Sequence, residues 1–349
     1  MMLERPDGIH VVYAVDDGFA RICGVSIASL LSNSLDAAEM DISILCDELS
    51  EENQGRLREV CHSFGKPGPY FVHIHALREL LGKRVNTDRG SIMQYARLFV
   101  GRLPCDRIIY LDCDVMLRKS VRKLWETDLH GKTAAAVPDI YSRYYRRGME
   151  LEPFEAIYNN GVMVMDLDRW RSRNLEDRAI AYIHHHFGCP IKDDLGTVNA
   201  VLRGDITPLA PEWNAITSFY DFTYQEMLTY RKPPSYFPEE LIERAAADPS
   251  LVHFASSYRS CRPWEEGCAH PFAEEWLRYQ DKTPWSGAPA GKAKKSMACR
   301  MLNALPDKLS VGIAMCFQVY LRPLWGQIKE RVHKIGKNIS ACVRRHTRI

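Results

Sequence analysis

Apolar and polar positions change rhythm along this chain, and the change divides it. In the first half, short apolar runs alternate with longer amphipathic stretches. Ile9–Val15 is short, apolar and β-branched, the pattern of a strand covered on both faces. It ends in the turn signal Asp16-Asp17-Gly18, and Ile22–Leu31 then reads as a helix packed back on the sheet. Asp41–Cys46 repeats the strand signal, and Ser50 is placed to cap an acidic helix start that runs through residue 64. Tyr70–His75 alternates as a third strand, a helix follows around Ser91–Val100, and Arg107–Leu111 is a fourth strand. Repeated βα units of this kind predict an α/β fold with a Rossmann-like, mostly parallel sheet and flanking helices. Ligands of such sheets bind beyond the carboxyl ends of the strands, a rule that selects Asp16-Asp17 together with Asp112–Asp114.

The second half is less regular. Gly161–Asp166 is another apolar strand, Asn174 is placed to cap a helix running to about Phe187, and a further helix lies near Leu195–Leu202. Residues 205–285 are rich in Pro, Tyr and Trp and read as loops folded over one end of the sheet. Gly287–Lys295 (GAPAGKAKK) reads as a linker. No internal repeat or low-complexity tract is present.

Charge changes this picture at one place. Residues 290–349 carry 13 Lys and Arg against Asp307 and Glu330, a net of +11, whereas the rest of the chain has a net of −9. The expectation is a body over 1–286 and a linker with a basic tail over 287–349. Met297, Met301, Leu302, Leu305, Leu309, Ile313, Phe317, Tyr320, Leu321, Leu324 and Trp325 recur in that tail at helix-like intervals among Lys and Arg. A basic amphipathic helix with aromatic residues suits an anionic membrane surface. Nucleic acid is not the expected partner, because the body is acidic. Eleven cysteines with no CxxC spacing fit a reducing compartment better than a disulfide framework. The first residues hold no apolar run, and Leu309–Leu321 is shorter than the ~20 residues that span a bilayer. These features predict a cytoplasmic protein, peripheral on the inner face of the plasma membrane, without a transmembrane helix.

The candidate chemistry begins at Asp112-Cys113-Asp114, which closes the fourth strand. In an extended segment the side chains at i and i+2 share a face, so both carboxylates can meet one cation, and Cys113 turns inward. Alone this pattern also describes a solvated strand end. Its company is more informative. Arg97 in Tyr95-Ala96-Arg97 can meet phosphate or carboxylate through paired hydrogen bonds. Asn159 and Asn160 offer amides at the entry of a strand, Asp194 opens a helix, and His253 follows Leu251-Val252. A His with two Asp forms a mixed nitrogen and oxygen donor set suited to Mn²⁺ or Mg²⁺. His184-His185-His186 would point in three directions on a helix and reads as surface packing. Asp166 and Asp168 read as a cap for the helix at Arg169–Trp170, and Asp193 as a solvated neighbour of Asp194.

In order and rough spacing, Ala14–Phe19 (AVDDGF), Tyr95–Arg97 (YAR), Leu111–Asp114 (LDCD), Asn159–Gly161 (NNG), Asp194–Gly204 (DLGTVNAVLRG) and His253 with Arg262-Pro263-Trp264 resemble the family 8 glycosyltransferases. Within that family the chain is most similar to bacterial lipopolysaccharide and lipooligosaccharide glucosyl- and galactosyltransferases, over roughly residues 9–280. The resemblance implies a GT-A fold, a UDP-hexose donor, Mn²⁺ and retention of anomeric configuration. The acceptor would be a lipid-linked oligosaccharide or other glycan. It also implies metal ligation by Asp112, Asp114 and His253, and a uridine site at Ala14, Asp16 and Phe19. Arg97 and Asp194 would hold the donor sugar's hydroxyls, Asn159 and Asn160 would line the sugar pocket, and Arg262 would contact the diphosphate.

Three departures stand out. The family's DDNY is Asp16-Asp17-Gly18-Phe19 here. The Gln of its D-Q-D or D-Q-G pattern, a candidate nucleophile, is Leu195. The stretch from His253 to Trp264 is about three residues longer than H-x-x-G-x-x-K-P-W. Counting forward puts Ser256 and Arg259 at the Gly and Lys places, and counting back from Trp264 favours Arg262. A catalytically inactive UDP-sugar-binding module of the same fold is the alternative reading. A nucleotidyltransferase would need a Gly-rich loop with Lys or Arg near the N-terminus, and Ala14–Phe19 supplies none.

Overall fold

A computed structural model describes residues 8–332 apart from 38, 83–84, 88–90, 256, 294 and 330. The part of the basic tail beyond residue 332, and Ser256, therefore lie outside the described residues. Strands β1 (Ile9–Ala14), β2 (Met40–Cys46), β3 (Tyr70–His73), β4 (Arg107–Leu111), β6 (Ala134–Pro138), β7 (Tyr158–Asp166) and β8 (Ile206–Pro208) form one sheet in the order β3-β2-β1-β4-β7-β6-β8. Every strand but β7 runs the same way, and β7 pairs antiparallel with both β4 and β6. A second sheet joins β5 (Val115–Leu117), β10 (Leu251–His253) and β9 (Ala215–Ile216), with β10 in the middle.

The unbroken apolar runs follow from burial on both faces. Val11 and Tyr13 of β1, Ile109 and Leu111 of β4, and Val162 and Val164 of β7 enter one core. The alternate residues Val12, Ile108, Tyr110, Met163 and Met165 enter a second core on the other face. The helices Ala20–Asn33, Glu51–Ser63 and Ala273–Gln280 belong to the first side. The 3₁₀ segment Ile92–Arg102 and the helices Leu175–His185 and Asp193–Val201 belong to the second. Ser50 caps its helix by accepting from Asn53 N, and Asp166 accepts from Arg169 N, both as the sequence predicts. Asn174 is different: it sits in the left-handed region at φ 50° and makes no capping bond.

Residues 205–285 depart most from expectation. They are a packed unit with the helices Ser218–Asp221, Tyr224–Arg231, Glu239–Ala247 and Ala273–Gln280, and Trp276 is among the largest fully buried side chains. Their composition concealed these helices because they are only four to nine residues long and set between prolines, with Phe222, Tyr230 and Tyr258 packed in one aromatic group among aliphatic residues. The C-terminal helices Met297–Asn303 and Asp307–Met315 lean on this unit. Val311 and Ala314 enter its core, and Ser310 Oγ donates to Tyr258 Oη at 2.9 Å. No helix among the described residues is long and apolar enough to cross a membrane. All ten described cysteines are free thiols.

Candidate functional site

The reversed direction of β7 builds the site. Antiparallel pairing sets Leu111 opposite Val162 and brings the start of β7, Asn159-Asn160-Gly161, to the carboxyl end of β4. Asp112 N donates to Gly161 O at 2.7 Å and locks the junction. The chain then turns through Cys113 and Asp114 into β5, where Val115 pairs with His253. The two aspartates thus lie on a turn between strands rather than in an extended run, yet they still converge. Ligand atoms of Asp112, Asp114 and His253 all lie within 4.8 Å of one another. Cys113 faces the other way, is buried, and directs Sγ to Ala14 O at 3.2 Å.

Each of these three groups is held by a neighbour. Asn214 Oδ1 lies 2.9 Å from His253 Nδ1, which leaves Nε2 to face Asp114 Oδ1 at 3.2 Å. Asn214 Nδ2 donates to Asn159 Oδ1 at 2.9 Å, and Asn159 Nδ2 donates to Asp139 Oδ2 at 2.8 Å. Arg97 Nη2 donates to Asp112 Oδ1 at 2.6 Å, its Nε lies 3.0 Å from Asp194 Oδ2, and its Nη1 donates to Asn160 O. Asn160 Nδ2 also donates to Asp194 Oδ2 at 2.7 Å. Gly161 is obligatory here, because a Cβ would come within 2.6 Å of both Asp112 Oδ2 and His253 Cε1.

Electrostatics follow from this packing. Burial alone would raise the Asp114 carboxyl, but His253 and Arg262 outweigh it and hold it at about 2. Burial raises Asp194 to about 6, since Arg97 offsets it only in part and Asp112 adds repulsion. Burial opposes the Arg97 charge as well, yet Asp112, Tyr110 and Asp194 together keep it above its usual range. Two carboxylates and one imidazole of fixed tautomer, packed against a glycine that leaves room for them, fit a hard divalent cation. Asp112, Asp114 and His253 can hold it.

All eleven residues singled out from the sequence line one cleft of about 480 Å³, Ala14, Asp16, Phe19 and Arg262 among them. Asp16 Oδ1 accepts from Phe19 N at 3.1 Å, whereas Asp17 turns away to bind Ser50 and Asn53. Arg262 Nη2 lies 3.5 Å from Asp114 Oδ2, and Arg259 instead pairs with Glu226 and Asp307. Leu195 lines the cleft too. Three cleft donors, Gln94 Nε2, Arg231 Nε and Arg262 Nε, are buried without a hydrogen-bond partner among the described residues. Such donors carry a desolvation cost of about 1–3 kcal/mol each until an acceptor meets them.

Sequence reasoning missed several lining residues: Asp139, Tyr141, Lys192, Arg231, Arg322 and the supporting Asn214. None sits in a motif, and only Lys192 lies beside one. Asp193 is also not solvated: it is 3% exposed and accepts from Asn86 Nδ2 at 2.8 Å. Lys192 and Asp193 both occupy the left-handed region, at φ 63° and 57°, which for non-glycine residues is costly backbone placed directly before Asp194. Gly196 makes that turn possible, since a Cβ there would lie 1.8 Å from Ile191 O. The histidine triplet is not simply surface packing: His184 Nε2 lies 3.1 Å from Leu81 O, and His186 is buried against Tyr182. Glu150, His185 and His186 form a second, more exposed group with metal-ligating atoms.

Comparison with known proteins gives this geometry a context. The model of glycosyl transferase family 8 matches residues 10–268. General stress protein A of Bacillus subtilis is 27% identical over 82% of this chain and 99% of its own length. Lipopolysaccharide 1,2-glucosyltransferase of Escherichia coli is 25% identical over 84% of this chain and 83% of its own. The crystal structure of the galactosyltransferase LgtC with donor and acceptor sugar analogues superposes with a TM-score of 0.64 at 22% identity, over 79% of this chain and 96% of that one. That likeness gives the α/β architecture its name, the GT-A fold. With a family model spanning most of its length, the chain belongs to glycosyl transferase family 8.

Proposed function

We propose that this family 8 enzyme moves a hexose, glucose or galactose, from a UDP-sugar to a lipopolysaccharide-type or other glycan acceptor, with a divalent metal and with retention of configuration. The observation that carries the proposal is the convergence of Asp112, Asp114 and His253 inside a cleft whose other walls hold Arg97, Asn159, Asn160, Asp194 and Arg262. Ala14, Asp16 and Phe19 take the uridine end, where the Phe19 ring can stack on the base. Asp112, Asp114 and His253 would hold Mn²⁺ or Mg²⁺, which when bound offsets the negative charge of the diphosphate. Arg262 adds its own charge there and has a buried N–H to give. Asp194 and Arg97 orient the donor sugar, and Asn159 and Asn160 shape its pocket.

Leu195 offers no nucleophilic atom, so the reading favours a single displacement on one face. The acceptor oxygen bonds to the anomeric carbon as the bond to the diphosphate oxygen breaks, and the departing phosphate takes the acceptor's proton. Trapping a glycosyl adduct on any side chain during turnover would sink this step. The wider reading is tested by screening UDP-glucose, UDP-galactose and their N-acetyl forms for metal-dependent hydrolysis. Metal-dependent UDP binding with no turnover of any of them would favour the inactive binding module.

The C-terminal segment extends the proposal to a membrane. Phe317, Leu321, Leu324, Trp325 and Val332 are each more than half exposed, on a segment whose other side packs on the body through Val319. Lys329 and Arg331 stand on the same segment. We assign this face to anionic lipid at the inner surface of the plasma membrane. Phe317→Glu with Trp325→Glu should release the protein from phosphatidylserine vesicles while its melting temperature stays unchanged. Equal vesicle binding by variant and wild type would overturn the assignment.

A further inference from the structure

The reaction just proposed leaves one wall of the cleft without a task. Lys192, Arg231 and Arg322 all line it, and none belongs to the set assigned to the UDP-sugar. They come from three distant places: the left-handed turn before Asp193–Val201, the last residue of the helix Tyr224–Arg231, and the C-terminal segment just past the π-helical turn Cys316–Leu321. Aromatic rings tie them together. Lys192 Nζ lies 3.1 Å from Tyr141 Oη and 4.2 Å from that ring's centre. The Arg231 guanidinium lies 5.7 Å from the Tyr141 ring and 4.7 Å from the Tyr230 ring. Arg322 is held from its own helix, Nη1 donating to Gln318 Oε1 at 3.1 Å.

Three cations on one wall repel one another, and drawing them from water adds to the cost. Aromatic faces recover about 0.5–2 kcal/mol per contact, which lessens the cost without giving the Arg231 Nε–H an acceptor. The carboxylate whose charge reaches Arg231 is Asp139, and both its oxygens are engaged. Oδ1 accepts from Ile140 N at 2.6 Å and Oδ2 from Asn159 Nδ2 at 2.8 Å. Arg231 makes no ion pair among the described residues, and its Nε is buried with no hydrogen-bond partner. A desolvated guanidinium with an unmet N–H, flanked by two further cations in a ligand cleft, is complementary to anionic oxygen.

We propose that Tyr141, Lys192, Arg231 and Arg322 bind an anionic group, carboxylate or phosphate, carried by one of the two sugars of the reaction. This rests on the UDP-sugar reading for the rest of the cleft. The anion has two possible sources, a uronic acid on the donor or an acidic or phosphorylated acceptor, and the test separates them. Full-length protein with Mn²⁺ and saturating UDP is titrated with glucose 6-phosphate, glucuronate and glucose. In a second arm without UDP, UDP-glucuronic acid and UDP-glucose are titrated in parallel.

A preference of about tenfold or more for an acidic sugar over glucose in the first arm places the anion on the acceptor. The same preference for UDP-glucuronic acid in the second places it on the donor. In either case Arg231→Gln and Arg322→Gln should each reduce the preference about fivefold or more, and melting curves confirm that both are folded. Arg322→Gln changes only the C-terminal segment, so it keeps the test decisive if Arg231→Gln does not fold. No preference in either arm overturns the proposal, as does a preference that survives in the variants. Weakened UDP binding in Arg231→Gln without any preference among sugars also overturns it, by giving the wall to the nucleotide's diphosphate. If UDP does not bind but glucose 6-phosphate binds through Arg231 and Arg322, the donor reading fails and the anionic site stands.

Discussion

Arg97 and Arg231 are two arginines drawn into one cleft, each against a tyrosine ring, and they are treated in opposite ways. Arg97 lies 4.5 Å from the Tyr110 ring and binds Asp112, Asp194 and the carbonyls of Gln94 and Asn160. Arg231 has rings for company and a buried N–H with no acceptor among the described residues. The first arrangement is complete before any ligand arrives, and it fixes two carboxylates. The second is complete only with an anion. A cleft can therefore hold preorganised and ligand-facing cations side by side, and exposure alone does not tell their roles apart. Hydrogen-bond bookkeeping does.

Removing each arginine should break this contrast most visibly. Arg97→Gln leaves the buried Asp194 and the half-buried Asp112 without their cation, and loss of one partner from a buried network costs about 3–5 kcal/mol. Arg231→Gln removes a charge that has no ion pair among the described residues, so its melting temperature should stay near wild type or rise. Thermal unfolding of the two variants side by side decides it. Equal destabilisation would mean that Arg231 is a structural residue after all.

Asp112→Asn comes next in size, because it withdraws a metal donor and the partner of Arg97 Nη2 together. We expect UDP-hexose turnover with Mn²⁺ to fall by about 10²–10³-fold or more, on the scale of losing one preorganised electrostatic group. Chelation of the wild type should give the same loss, and Mn²⁺ should restore the wild type alone. Retained turnover in the variant would overturn the metal role of Asp112. A smaller effect belongs to Asn214→Ala, which frees His253 Nδ1 without touching a ligand. Supporting groups of this kind are worth about 10–100-fold in metal affinity, readable as a shift in the Mn²⁺ concentration for half-maximal activity.

The same contrast explains what the sequence could and could not disclose. The aspartate end is made of strand termini, where local order along the chain fixes what faces what: Asp112 and Asp114 after β4, Asn159 and Asn160 at the start of β7, His253 at the end of β10. Short motifs survive translation into space there, and the alternation of Ile108 to Leu111 between two cores was readable for the same reason. The cationic wall has no such order. Lys192, Arg231 and Arg322 are spread over 130 positions of the numbering and meet only after the region from 205 to 285 has folded into helices. That region looked like loops because its helices are only four to nine residues long and set between prolines, and a misread scaffold hides whatever it positions. Asn214 was missed for a related reason: its partner His253 is distant in sequence and joins it through the small sheet of β5, β10 and β9.

His270 supplies a third case, an unmet polar group that escapes cost by staying neutral. It is 4% exposed, lies against Tyr220 and Phe254, accepts from Phe272 N through Nδ1, and has no partner at Nε2. Burial pushes it down to about 4. Between its ordinary value near 6.5 and about 4, the unfolded chain takes up a proton that the native state refuses, so stability falls as pH drops through that window and levels off below it. At pH 5.5 the deficit from this one group is about 1 kcal/mol. Asp194, raised to about 6, binds a proton in the native state over part of the same range and acts in the opposite sense. The readout is therefore the difference between wild type and His270→Gln, which keeps an acceptor for Phe272 N and does not titrate. Plotted from pH 7.5 to 4.5, that difference should grow as pH falls, with the variant gaining on the wild type. Parallel curves would show that His270 is protonated in the folded protein and has found an acceptor there.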